Sequence, residues 1–283
     1  SSHRRRPQGG SPFQKNGPFP FVARAAEMAR SPELHTFADA QELVRAAATL
    51  FVTIGRQAIR ERARFLVALS GGSTPKALYA ILASEAFATQ LDWSKVHFLF
   101  GDERAVPPTD GDSNFALANT LLFTPLNIPP AHIHRMRGEA QPETAAIEYE
   151  ELLRRLTATA PGPWPVLDLV LLGMGEDGHT ASLFPGTAAL GEQSRWVVPG
   201  LSPQGTKSRI TLTLGVINHA SVILFLVTGQ KKANVIRRIL QSRADVIDAY
   251  PAARVVPESG RLMWYLDRAA ASELTVSTDK LSS

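Results

Sequence analysis

Apolar positions recur with two different periods along this chain, and the changes of period mark out its elements. Over residues 37–63 the side chains of Leu43, Val44, Ala47, Leu50, Phe51 and Ile54 return every three to four positions, which predicts a long amphipathic helix. An unbroken apolar run at 65–69 reads as a buried strand, followed by the turn SGGSTP and a helix over about 76–84. Pro75 suits a first helical turn, where its missing N–H has no helical partner to lose. Further strands are expected at 96–100, 166–172, 209–214, 221–227 and 262–266, each short and bounded by turn or charge signals. Helices are expected over 113–122, with Ser113 and Asn114 able to cap its start, and over 143–158, 230–241 and 267–274.

Strands alternating with helices predict an α/β fold with a largely parallel β-sheet covered by helices on both faces. Ligands of such sheets bind beyond the carboxyl ends of the strands. SGGSTPK, GDERAVP, GMGEDGHTAS and TGQKK each follow a predicted strand, so the chemically loaded segments are expected to converge on one edge.

Composition narrows the function classes. The 283 residues are 44% hydrophobic, enough for a sizeable core, yet no apolar run approaches the ~18 residues of a membrane span. With no cysteine, a thiol nucleophile, a disulfide framework and a cysteine zinc site are all impossible. A reducing compartment fits, and a cytoplasmic location is expected. The net charge of +4 is unevenly distributed: residues 1–30 carry +5 and the remainder −1. Nucleic-acid binding is therefore not expected, because it needs a basic stripe across a folded face. Residues 1–33 read as a basic disordered extension, with a transit peptide as the alternative, and 34–283 as a single α/β domain. His132 and His134, beside Pro129 and Pro130, lack a third ligand nearby and read as a loop pair, so no metal is expected.

The segment DLVLLGMGEDGHTASLFPG at 168–186 carries the chemistry. It delivers His179 between glycines and beside Glu176 and Asp177, and an imidazole exchanges protons near neutral pH. Asp177 is the expected orienting acid, while Glu176 is expected to face solvent. Gly173, Gly175 and Gly178 also fit GxGxxG, but HTASLFPG breaks at Pro185 and puts acids where a pyrophosphate would lie, so a dinucleotide is not expected. Gly72, Ser73 and Thr74, in the turn SGGST, read as a phosphate cradle at a helix start, with an ordinary capped helix start as the alternative and without the GxxxxGK[ST] spacing of a nucleotide loop. Arg104 can grip a phosphate bidentately or pair internally with Asp102 or Glu103. Lys232 can meet the same anion, whereas Lys231 reads as a solvated residue; Arg209 and Lys207 are weaker candidates.

LSGGSTPKALY, FLFGDERAVPPTDGDSN, the 168–186 segment, KSRITLT, LVTGQKKA and PAARVVPESGRLMWYLDRAA together resemble, in order, the signature segments of the 6-phosphogluconolactonase family. The resemblance spans roughly residues 34–274. It implies a Rossmann-like fold shared with glucosamine-6-phosphate deaminase, hydrolysis of 6-phospho-D-glucono-1,5-lactone to 6-phospho-D-gluconate in the oxidative pentose phosphate pathway, and no metal or organic cofactor. His179 is then expected to be the general base on water, with the 6-phosphate held by Gly72, Ser73, Thr74, Arg104, Lys232 and Arg209. The expected partner is a small sugar-phosphate lactone, with no membrane or nucleic acid, and the expected state is a monomer. A deaminase-like aldose–ketose isomerase and a non-catalytic sugar-phosphate binder are the alternatives. Against the deaminase, Phe184 stands five residues after His179, where deaminases carry a catalytic Glu.

Overall fold

In the computed structural model, which describes residues 31–158, 162–203 and 208–275, six strands form an all-parallel sheet. They are β1 (Glu33–Phe37), β2 (Phe65–Leu69), β3 (Val96–Phe100), β5 (Leu169–Leu172), β8 (Val222–Val227) and β9 (Arg261–Asp267), in spatial order β1-β9-β8-β5-β2-β3. A separate antiparallel sheet has the order β4-β7-β6, from β4 (Asp102–Arg104), β7 (Ser208–Leu212) and β6 (Val197–Leu201). The helices are α1 (Ala40–Arg62), α2 (Ser73–Leu82), α3 (Asn114–Ala118), α4 (Pro142–Leu156), α5 (Leu214–Asn218) and α6 (Ala233–Gln241), besides shorter turns.

Alternation along the parallel strands supplies both faces of the sheet. Phe65, Val67 and Leu69 join the side covered by α1 and α2, whereas Leu66 and Ala68 point to the side covered by α4 and α6. β5 repeats this with Leu169 and Leu171 against Val170 and Leu172, all four buried. This is why the central strands are continuous apolar runs rather than half-polar ones.

Several expectations are corrected. Residues 37–39 are not helical: Phe37 ends β1, and Asp39 caps α1 by accepting a bond from the Glu42 N–H at 2.9 Å. β1 escaped the sequence reading because ELHTF is a partly exposed edge strand whose partner, β9, lies more than 200 residues further on. GDER, expected only to close the strand at 96–100, contains a second strand, β4, because the chain leaves the parallel sheet at Gly101, which accepts the Leu212 N–H at 2.8 Å. The strand expected at 209–214 stops at Leu212 and pairs antiparallel, and α5 follows it. The helix expected at 113–122 becomes a π-helix over Asn119–Phe123, and that at 230–241 opens as a 3-10 turn, Gln230–Lys232. No helix forms at 267–274: Asp267 remains in β9, and its carboxylate accepts the N–H groups of Gly229 and Ala270. Residues 1–30, most of the expected extension, lie outside the described residues.

The strand order places β2 beside β5, with Val67 opposite Leu169. From β2 the chain steps outward to β3, and from β5 it steps the other way to β8 and β9. The loops after β2 and β5 therefore diverge at a topological switch point, opening a crevice at the carboxyl edge of the sheet. Among the described residues, no helix is long and apolar enough to cross a membrane.

Candidate active site

The crevice is a cavity of about 240 Å³, lined among others by Gly72, Ser73, Thr74, Arg104, His179 and Lys232. The loop before α2 is pinned from below by Tyr79, whose buried hydroxyl donates to the Ser70 carbonyl at 2.5 Å and accepts from the Ser70 N–H at 3.1 Å. Gly72, at φ +106, precedes α2 without any side-chain cap. The first N–H groups of α2 are thus left to a ligand, and the helix dipole favours an anion there. Thr74 Oγ1 lies 3.1 Å from Thr228 Oγ1, which ties this loop to the end of β8.

Across the crevice, one oxygen of Asp177 accepts the His179 backbone N–H at 3.1 Å and lies 2.5 Å from Nδ1. A carboxylate only accepts, so Nδ1 carries the proton and Nε2 is left with its lone pair. The turn closes on itself through the Gly175 N–H, which donates to the His179 carbonyl at 2.9 Å. Gly175 cannot be replaced without moving the ring, since a Cβ there would lie 2.2 Å from Nδ1. The imidazole is one-third exposed and stacks obliquely on the buried Phe184 ring, centroid to centroid 4.5 Å.

The cations come from β4, β7 and the 3-10 turn Gln230–Lys232. Arg104 on β4 and Arg209 on β7 are paired in register, and the Nε of each is buried without a hydrogen-bond partner. Like charges side by side with idle donors suit an anion between or beside them. Burial first, and then the charge of Arg104, pushes the Arg209 guanidinium below its ordinary value. Arg209 itself is not among the residues lining the cavity, although it is the register partner of Arg104. Among the described salt bridges Arg104 pairs with neither Asp102 nor Glu103; its Nη1 donates to the Asp112 carbonyl. Burial likewise pushes Lys232 down, while the carboxylates of Glu176 and Asp267 act the other way. Lys231 and Glu176 are 84% and 61% exposed and lie 3.9 Å apart at the surface. Lys207 lies outside the described residues. His132 and His134 stack with His97, and among the described residues no group of three or more His, Cys, Asp or Glu could hold a metal ion.

Three wall and support residues escaped the sequence reading. Asp102, only 7% exposed, lines the cavity and accepts from Ser182 Oγ at 2.6 Å and from Asn114 Nδ2 at 3.2 Å. A charge at a strand end was the visible signal for Asp102. Asn114 was visible only as a helix-cap candidate and nothing local marks Ser182, because 12 and 80 residues separate them from the carboxylate they hold.

The family model described as "Glucosamine-6-phosphate isomerases/6-phosphogluconolactonase" matches residues 38–264. A 6-phosphogluconolactonase of Nostoc sp. is 41% identical over 239 residues, 84% of this chain and 96% of the relative. One of Haemophilus influenzae is 41% identical over 204 residues, 72% and 85% of the respective chains. The solved structure of 6-phosphogluconolactonase from Trypanosoma cruzi superposes with a TM-score of 0.77 at 32% identity, covering 87% of this chain and 98% of that one. Alike in sequence and in fold over most of its length, the chain belongs to the glucosamine-6-phosphate isomerase/6-phosphogluconolactonase family.

Proposed function

We propose that this chain hydrolyses 6-phospho-D-glucono-1,5-lactone to 6-phospho-D-gluconate, the second step of the oxidative pentose phosphate pathway. The observation that carries this reading is a proton-transfer pair, His179 with Asp177 at 2.5 Å, with the imidazole in the same cavity as an uncapped helix start and two cationic side chains. The α2 N-terminus, with Ser73 and Thr74, takes the 6-phosphate together with Arg104 and Lys232, while Arg209, outside the cavity lining, adds its charge beside Arg104. Anchoring this remote group fixes the lactone carbonyl near His179, which lowers the barrier by orientation. Nε2 removes a proton from water as the water oxygen bonds to C1. The C1–O5 bond then breaks, and the imidazolium returns the proton to O5. Asp177 holds the tautomer and stabilises the transient imidazolium. Phe184 supplies no acid at the position where the amino-sugar deaminases carry a carboxylate, which favours the lactone over ring opening.

The test is an assay with freshly generated 6-phosphogluconolactone, corrected for spontaneous hydrolysis, beside ammonia release from glucosamine 6-phosphate. Lactone consumption well above background without ammonia is expected; ammonia without lactone turnover would reverse the assignment. His179→Ala is expected to lower kcat on the order of 10²–10⁴-fold with the fold retained. Unchanged turnover would remove His179 from the chemistry.

A further inference from the structure

The turn that carries His179 is backed by a segment more than 70 residues later in the chain. Between the one-turn helix Arg243–Val246 and the 3-10 turn Pro251–Arg254 stands Tyr250, and its side chain rests on Gly178. A Cβ at Gly178 would come within 2.6 Å of the Tyr250 Cδ1 and 2.8 Å of its Cβ and Cγ, so the contact exists because residue 178 has no side chain. Two residues on, the Ala252 N–H donates to the Gly178 carbonyl at 2.9 Å. Gly178 holds φ at +74, a conformation that costs glycine little but that a bare glycine-rich turn has no reason to keep.

The backing segment is itself held firmly. The Tyr250 hydroxyl accepts from Arg238 Nη1 at 2.7 Å, and Arg238 lies on α6, just beyond the 3-10 turn of Lys232. Arg243 donates to the carbonyls of Ala253 and Val255, both at 2.7 Å, and Ala252 and Ala253 are fully packed into the core. The Tyr250 ring is thus fixed at its hydroxyl end by α6 and presses with its other end on the residue between Asp177 and His179.

We propose that Tyr250 is a positioning residue for His179: pressed on Gly178, and assisted by the Ala252 hydrogen bond, it selects the turn conformation that aims the imidazole into the cavity. This rests on the reading of His179 as the base. The groups assigned to the phosphate come from other loops, so loss of Tyr250 affects turnover rather than phosphate affinity.

The experiment compares Tyr250→Ala, Tyr250→Phe and His179→Ala in the full chain, with kinetics and the downfield proton NMR signal of the His179 Nδ1–H, assigned by its loss in His179→Ala. Tyr250→Ala is expected to lower kcat on the order of 10–100-fold with KM almost unchanged, and to shift or broaden the Nδ1–H signal. Tyr250→Phe, which keeps the ring on Gly178 and gives up only the Arg238 bond, is expected to retain most of kcat and the signal. If Tyr250→Ala does not fold, Tyr250→Leu carries the same expectations. Unchanged kcat and signal in the Ala or Leu variant, while His179→Ala is inactive, overturns the positioning role and leaves the base assignment standing. An active His179→Ala would instead overturn the base assignment, and the Nδ1–H signal still decides whether Tyr250 holds the ring. A rise in KM with unchanged kcat also counts against the proposal.

Discussion

At the scale of single residues, the site is built by what is missing as much as by what is present. Gly175 and Gly178 give the imidazole and the Tyr250 ring space that a methyl group would occupy. The buried Nε atoms of Arg104 and Arg209 lack hydrogen-bond partners, which supports the proposal that Arg104 grips an anion. Arg104→Ala is expected to raise KM for the phosphorylated lactone roughly 10–100-fold, the worth of one or two charge-assisted hydrogen bonds, and to leave the unphosphorylated lactone almost unaffected. Parallel kinetics on the two substrates decide it, and equal losses on both would make Arg104 a structural residue of β4. The candidate histidine, its acid and most of the proposed phosphate contacts stand out in the sequence, because each lies next to a glycine or charge signal at the end of a strand.

At the scale of elements, β4 and α3 form a unit organised by one buried carboxylate. Glu103, 2% exposed, accepts the N–H groups of Asn114 and Phe115 at 2.8 Å each, that of Arg104 at 2.8 Å, and the Ser113 hydroxyl at 3.0 Å. Burial pushes its carboxyl above the ordinary range, and the three backbone bonds pull it back. The carboxylate caps α3 at the end where the helix dipole favours negative charge. It also fixes Asn114, and through it Asp102, at the cavity wall. Glu103→Gln leaves a buried amide donor facing these N–H groups and is expected to cost roughly 2 kcal/mol, lowering Tm by about 4–8 °C. Thermal denaturation measures this; an unchanged Tm would show that α3 is held by its apolar contacts alone. The sequence displayed Ser113 as a cap but not Glu103, since a carboxylate ten residues upstream reaches the same helix only after the chain has turned from β3 into β4.

At the scale of the whole molecule, acid sensitivity is expected at the outer edge of the parallel sheet. His97 on β3 shares a 3.1 Å hydrogen bond with His134 and stacks on His132 at 4.2 Å, joining the 130–134 segment to the edge strand. Burial, followed by the neighbouring imidazoles, pushes both His97 and His134 down to about 4. The unfolded chain binds these protons near pH 6.5, so between about pH 6.5 and 4 it holds more protons than the folded chain, and stability falls as the pH falls. Tm is accordingly expected to decline through this window, and His97→Gln to flatten the decline; the same slope in that variant would rule the pair out. Carboxylates held low, such as Glu139 at about 2 beside Arg135, act in a separate window below pH 4.5. By itself, the sequence determined the α/β class, the central strands and the chemical character of the loops, because buried parallel strands and glycine-rich strand ends leave local patterns. Tertiary structure alone decided the second antiparallel sheet, the edge strand β1 and the supports of the site: Asp102 with Ser182 and Asn114, Glu103 under α3, and Tyr250 behind Gly178. These depend on register and on contacts between residues as far as 80 positions apart or more, and a pattern read along the chain does not contain the distances that bring such residues together.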